Sequence, residues 1–291
     1  MIRLDPNNPK GIIWVASYPR SGNTWMRAFI NALHNVMKDA ESADVDINHF
    51  EEASAFENTA ALYPRFLGKP AFKATAAEIA RVRPLVQAAL VESAGRPIFM
   101  KTHNARGLDH GYPLVNMQVT AGAIYLVRNP LDVAISYAHL SNQPIDTIIE
   151  TMATSGWGID TTETKVRTVS GSWSEHVATW TDIAHPTVLV VRYEDMVEKP
   201  ERTFARIARH LLLKPGKEQL RQAIEMTSFE RLQAKEAAAG FNERPDTSVD
   251  PFFREGRVGQ WRDRLTEEQI ARIVSAHRKA MRRFDYLPKG Q

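Results

Sequence analysis

The stretch from Gly11 to Leu33, GIIWVASYPRSGNTWMRAFINAL, constrains this fold more than any other. Ile12 to Ala16 is a short continuous apolar run, the pattern of a central parallel strand buried on both faces. Ser17-Tyr18-Pro19-Arg20-Ser21-Gly22-Asn23-Thr24 follows. Pro19 biases Tyr18 toward extended backbone, and Gly22 can take the positive φ of a tight turn. From Thr24 the apolar spacing becomes helical: Trp25, Phe29, Leu33 and Val36 form one stripe, with Met26, Ile30 and Met37 beside it. A strand, a polar turn and a helix in succession aim several backbone N–H groups and a helix N-terminus at one point. That point suits a phosphate or a sulfate.

The turn invites comparison with the phosphate loop G-x-x-x-x-G-K-[ST]. Gly22 and Thr24 match its second glycine and its hydroxyl residue, Ser17 stands at the first glycine, and Asn23 replaces the lysine. Without that lysine the loop is poorly equipped for ATP or GTP hydrolysis, and Arg20 supplies a cation from within the turn instead.

The rest of the composition narrows the class. A chain of 291 residues with 43% hydrophobic and 24% charged residues is long enough for a substantial core. Its 37 basic and 34 acidic residues leave a net charge of only +3, which argues against a nucleic-acid partner. Without cysteine there is no disulfide, thiolate zinc site or catalytic thiol. The first ten residues have no signal-peptide core, and no run approaches the roughly 18 apolar residues of a membrane span. The expectation is a cytoplasmic protein with no membrane partner.

Further along, Asp39 to Asp46 reads as a loop, and Phe50, Phe56, Tyr63, Phe66 and Phe72 fall on a stretch broken by Pro64, Gly68 and Pro70. Those aromatics form either a satellite core or an acceptor-pocket wall. Thr75 to Glu92 reads as a helix capped by Thr75. Pro97 to Lys101 is a second strand, so His103 sits just past a strand's carboxyl end, where open α/β sheets bind ligands. Lys101 projects to the same side. Ala121 to Val127 is a third strand, ending in Arg128, with Asn129 and Pro130 opening a helix that carries Ser136 two turns in. Short helices are expected at Ile145 to Met152, Ser172 to Ala184, Pro200 to Leu212 and Lys217 to Met226. A fourth strand is expected at Thr187 to Val191, and a last helix at Glu267 to Phe284. Loops near 39–72, 154–170 and 237–258 are the expected mobile segments of a single domain spanning 1–291. The fold class is α/β, a central parallel sheet flanked by helices, with a phosphate-loop-like turn.

Taken together, YPRSGNTW, the tripeptide Lys101-Thr102-His103, RNPLDVAISY from Arg128, RYEDM from Arg192, Thr227-Ser228-Phe229 and FFREGRVGQW from Phe252 resemble, in order, the motifs of sulfotransferases that use 3′-phosphoadenosine-5′-phosphosulfate (PAPS). The resemblance runs from Tyr18 to Trp261. It implies transfer of a sulfuryl group from PAPS to a hydroxyl or amine of a small-molecule acceptor, leaving the bisphosphate PAP, with no metal. It implies that His103 is the general base, Lys101 stabilises the sulfuryl oxygens, and Arg20 with the amides of Ser21, Gly22, Asn23, Thr24 and Trp25 holds the 5′-phosphate. By the same resemblance Arg128 and Ser136 hold the 3′-phosphate, Trp25, Tyr193, Thr227 and Phe229 surround adenine, and Arg254, Glu255 and Gly256 complete the 3′-phosphate subsite. Three departures stand out. The Leu-Pro that follows the histidine in the family is Asn104-Ala105 here. Glu255 replaces a lysine, so it must point away from a phosphate or be compensated by Arg257. The family's dimer motif maps near Arg262 to Ala271, where only a basic residue and Thr266 match, which leaves homo-oligomerisation open. Two rival readings are a nucleotide kinase or phosphotransferase that uses Glu194 and Asp195 on magnesium, and a nucleotide-binding module without catalysis.

Overall fold

The computed structural model describes residues 1–39, 41, 44–49, 54–245 and 248–290. Its centre is a five-stranded sheet of β1 (Gly11–Ser17), β2 (Ser54–Phe56), β3 (Pro97–Thr102), β4 (Thr120–Val127) and β5 (Val188–Arg192), ordered β2-β3-β1-β4-β5. Every neighbouring pair is parallel. All carboxyl ends therefore share one edge, and β1 is the strand from which the chain leaves for both sides of the sheet. Ligands of open parallel sheets bind at such a switch point.

The alternation of β1 explains why it reads as a continuous apolar run. Ile12, Trp14 and Ala16 face a cluster containing Leu131, Ile135, Trp173, Val177 and Met281. Ile13 and Val15 face the opposite cluster, containing Phe29, Leu33, Phe204 and Ile207. On the first side lie α3 (Pro130–Ser141), α4 (Ile145–Ala153), α5 (Trp173–Thr181) and α10 (Glu267–Arg283). On the second lie α1 (Asn23–Lys38), α7 (Pro200–His210) and α8 (Lys217–Met226). Between these come α2 (Ala76–Ala94), the short α6 (Tyr193–Glu198) and α9 (Phe229–Ala239). Among the described residues no helix is long and apolar enough to cross a membrane.

The four strands and seven later helices expected from the sequence are present within a residue or two at each end, apart from Ser172 to Ala184, which is helical only over Trp173–Thr181. Thr75 closes a reciprocal cap with Glu78, as its position suggested. β2 was not anticipated: it is three residues long and follows a segment read as irregular. Of the aromatics assigned to that region, Phe50 lies outside the described residues. Tyr63 and Phe66 pack in a satellite core with Ile79 and Val86, whereas Phe72 is exposed. The interval 154–170 contains a small antiparallel pair, Gly158–Ile159 with Thr168–Val169. Helix α9 was also missed. Its buried face alternates Leu232 with Glu236, and a buried glutamate hides the apolar stripe.

Phe29 has no exposed surface, and its ring centroid lies 4.2 Å from that of Phe204, joining α1 to α7. Phe29→Ala should therefore cost about 3–5 kcal/mol of stability, as for other buried aromatic truncations. Urea unfolding followed by circular dichroism checks this.

Candidate active site

A cavity of about 600 Å³ opens at the carboxyl edge of β1, β3 and β4. Its floor is the turn after β1. Two residues there have left-handed backbone, Arg20 (φ 66°) and Gly22 (φ 96°), and Gly22 caps α1 without any side-chain hydrogen bond. The first amides of α1 are thus left to a ligand, in a concave run of N–H groups. Gly22 is required for a second reason: a Cβ there would lie 2.8 Å from the Tyr193 ring. Asn23, which replaces the phosphate-loop lysine, turns inward instead. Its amide donates to the Val15 carbonyl (2.9 Å) and to Ser17 Oγ (3.2 Å), tying the turn to the strand it leaves.

Arginines gather at one end. Arg20 Nε donates to Ser136 Oγ at 2.9 Å, and its terminal nitrogen donates to the Phe252 carbonyl at 3.0 Å. Arg128, only 5% exposed, donates to the Arg20 carbonyl at 3.1 Å and lies 4.2 Å from the Tyr193 ring centroid. Burial, reinforced by Arg128 and Arg254, pushes the Arg20 guanidinium down to about 10. Among the described residues, Arg128 Nε and Ser21 Oγ are buried with no hydrogen-bond partner, donors left over beside a cavity. Arg254 donates to Gln260 Oε1 at 2.8 Å. Glu255 is surrounded: Arg254 binds it closely, and Arg264 and Arg257 approach at 3.4 and 3.8 Å. Arg257 therefore does face Glu255, but as one cation of three.

At the other end stand Lys101 and His103. His103 Nδ1 lies 2.8 Å from the Ser17 carbonyl, which can only accept, so Nδ1 carries the proton and Nε2 is left as the basic nitrogen. Burial, with Lys101 nearby, pushes the imidazole well below its ordinary value, so the ring is neutral near pH 7. Burial likewise pushes the Lys101 ammonium down to about 8 against the opposing pull of Glu243. Glu243 accepts from Lys101 at 2.9 Å and from Arg27 at 2.6 and 2.8 Å. Burial alone would raise this carboxyl, but Lys101 and Arg27 together hold it at about 2. Arg27 and Glu243 are missed by the sequence reading. The only hint is an arginine set in the apolar surface of α1, four residues after Asn23.

The structure brings Arg20, Gly22, Asn23, Thr24, Trp25, Lys101, His103, Arg128, Ser136, Tyr193, Phe229, Arg254, Glu255 and Gly256 into the cavity wall. Ser21 and Thr227 stand behind it. Thr227 is fully buried and returns its hydroxyl to the Ala223 carbonyl at 2.8 Å. Trp25 and Phe229 line a slot at the arginine end, beside Tyr193, whose hydroxyl donates to the Gly256 carbonyl at 2.9 Å. Gly256 (φ 63°) leaves no room for a side chain, since a Cβ would meet the Phe229 ring at 2.3 Å. Phe56 ends β2 in the wall, 5.0 Å from Lys101 Nζ, while Trp157 stands behind Tyr137. Glu194 faces elsewhere: it accepts from the Asn129 amide (3.0 Å) and from the Tyr286 hydroxyl (2.7 Å), and neither it nor Asp195 lines the cavity. Of the acidic pair that a kinase would place on magnesium, Glu194 instead braces the turn after β4, and the Asp195 carboxylate lies 4.0 Å from Lys199 Nζ.

The sulfotransferase domain family matches residues 10–285. Sulfotransferase 1A1 of Canis lupus familiaris is 26% identical over 273 residues, covering 92% of this chain and 82% of that protein. Sulfotransferase 1B1 of the same organism is 27% identical over 289 residues, covering 94% and 84%. Among solved structures, retinol dehydratase in complex with androsterone and the inactive cofactor PAP superposes with a TM-score of 0.64 at 22% identity, over 98% of this chain and 85% of that one. A mouse sulfotransferase complexed with PAP gives 0.58 at 20% identity, over 97% and 88%. At these identities the superpositions speak to the fold.

Glu243 neutralises two cations at the cavity. Glu243→Gln should therefore tighten binding of inorganic sulfate roughly tenfold, equivalent to about 1.4 kcal/mol. Titration calorimetry of the two proteins measures the difference.

Proposed function

The chain belongs to the sulfotransferase family, and from that premise we propose that it transfers the sulfuryl group of PAPS to a hydroxyl or amine of a small-molecule acceptor by in-line displacement. The observation that carries this reading is the spacing of chemistry along one cavity: paired arginines with Ser136 at one end, amides and a helix start on the floor, Lys101 and His103 at the other end. A doubly phosphorylated adenosine fits that sequence of charges. Its 3′-phosphate would take Arg128, Ser136 and Arg254, with the unpartnered Arg128 Nε as a ready donor. Its 5′-phosphate would take Arg20 and the first amides of α1. Its adenine would lie between Trp25 and Phe229. Thr227, buried behind the wall, would support this slot without touching the base.

PAPS supplies an activated S–O bond. His103 Nε2 takes the acceptor's proton as the acceptor oxygen or nitrogen bonds to sulfur. The bond from sulfur to the 5′-phosphate oxygen breaks, and PAP leaves with the electron pair. Lys101 meets the charge on the sulfuryl oxygens and Arg20 the charge on the leaving phosphate, so the protein's part is chiefly placement and electrostatics. This reading needs no metal. Phe56, Tyr137 and Ile159 would form the apolar part of the acceptor site, fitting a small organic alcohol or phenol.

His103→Ala should lower sulfuryl transfer about 10²–10⁴-fold while leaving PAP affinity within a few-fold of wild type. Transfer of labelled sulfate, with PAP calorimetry on the same preparation, checks both halves. Equal magnesium-dependent binding of ATP would instead favour the phosphotransferase reading.

The pH profile has a defined shape. His103 is held well below its ordinary value, so the rate should stay level down through pH 6.5. As pH rises through about 8, Lys101 loses its proton and the rate falls. Lys101→Arg should move that alkaline limb upward, because a guanidinium keeps its charge.

A further inference from the structure

His103 lies past the end of β3, on backbone with no ladder of its own, yet its imidazole must hold one direction. Its neighbours are fixed by a side chain from just beyond β2, the edge strand beside β3. Glu57, one residue beyond β2 and 2% exposed, accepts from Thr102 Oγ1 at 3.1 Å and from the Asn104 amide through the same carboxylate oxygen. The other oxygen receives Gln87 Nε2 at 3.4 Å, with Arg83 Nε at 3.8 Å. The Asn104 backbone N–H donates to Thr102 Oγ1 at 3.0 Å, which closes a ring of bonds around the histidine. Asn104 Oδ1 accepts from the Val169 amide at 2.7 Å, and the Ala105 amide donates to the Val169 carbonyl at 2.8 Å.

Resting on the reading of His103 as the base, we propose that Glu57 is a positioning residue for it: the carboxylate clamps Thr102 and Asn104, the residues on either side. An apolar side chain of similar volume would fill the space at a lower desolvation cost than a buried carboxylate. The carboxylate adds direction, because one oxygen faces both flanking residues. The Asn104-Ala105 pair gives this its meaning. Where sulfotransferases resembling this chain place a proline, whose ring fixes φ, this chain has an alanine whose amide is hydrogen-bonded. Stiffness supplied elsewhere by a ring is supplied here by Glu57, Asn104 and the Val169 backbone. The same turn carries Phe56, Asn58 and Thr59 into the cavity wall, so the clamp also joins the acceptor side to the base.

Displacing a reacting group by about 1 Å can cost about 10²-fold in rate. Glu57→Gln keeps the shape, but whichever way its amide turns, an NH2 group meets donors: Gln87 Nε2 and Arg83 on one side, or Thr102 Oγ1 and the Asn104 amide on the other, so the clamp is broken. It should lower kcat for transfer by roughly ten- to a hundredfold while the acceptor KM and PAP affinity stay within about twofold. Asn104→Leu should produce the same split, and the double variant should be no slower than the slower single one, because both break one clamp. PAP titration on each preparation reports whether the cavity is formed. Unchanged kcat in a PAP-binding Glu57→Gln protein overturns the proposal, as do multiplicative losses in the double variant. Loss of PAP binding in both single variants also overturns it, since Glu57 would then serve folding alone. If His103→Ala retains wild-type transfer, it is the base assignment that fails. If His103→Ala is inactive and Glu57→Gln is normal, only the clamp fails.

Discussion

Like charges crowded into a cleft of low dielectric repel strongly, and this site contains Arg20, Lys101, Arg128 and Arg254 in one wall, with Arg27 just behind. Burial, reinforced by that repulsion, makes the Arg20 guanidinium easier to deprotonate than usual. Each cation is held where it is by something that offsets the cost. Arg128 rests on the Tyr193 ring, Arg20 on Phe252, Lys101 and Arg27 on Phe56 and the Glu243 carboxylate. Aromatic faces and single carboxylates keep the positive field aimed into the cavity while the ends of the strands stay closed.

Buried acids do the corresponding work for the backbone. Asp132 in α3 accepts from the amides of Gly259 (2.7 Å) and Trp261 (3.0 Å), and Glu236 in α9 accepts from those of Phe252 (2.7 Å) and Phe253 (2.8 Å). Two carboxylates thus fasten the strap of residues 252–261 across the arginine end. Glu194 does the same for the turn after β4. A carboxylate receiving two backbone N–H groups is a strong, directional tie, which suits a wall with no regular secondary structure of its own.

Much of this was legible in the sequence because the parts lie close together in the chain. The strand, turn and helix from Gly11 onward announce themselves through a switch of period, and the residue types of the turn place an arginine and hydroxyls at the helix start. The strap could be read from Arg254 and Gly256, and its departure at Glu255 from a single residue. What stayed hidden depends on partners far apart in sequence. Glu57 and Asn104 are 47 residues apart and Arg27 and Glu243 are 216 apart. Neither pair leaves a periodic trace. β2 is too short to show alternation, and a polar Asn23 in the lysine's place gave no hint that it would turn back to hold the strand end.

Arg20 joins two of these themes. Its Nε is committed to Ser136, its terminal nitrogen to the Phe252 carbonyl, and its face to the Phe252 ring. One guanidinium therefore belongs at once to the floor of the cavity and to the strap above it. Opening the strap would dismantle part of the floor, so with the nucleotide placed as proposed its departure and strap release would be reciprocally linked: whatever stiffens the strap would prolong the stay of the spent donor, and an analogue that fails to engage Arg20 would give the strap no added protection from solvent exchange.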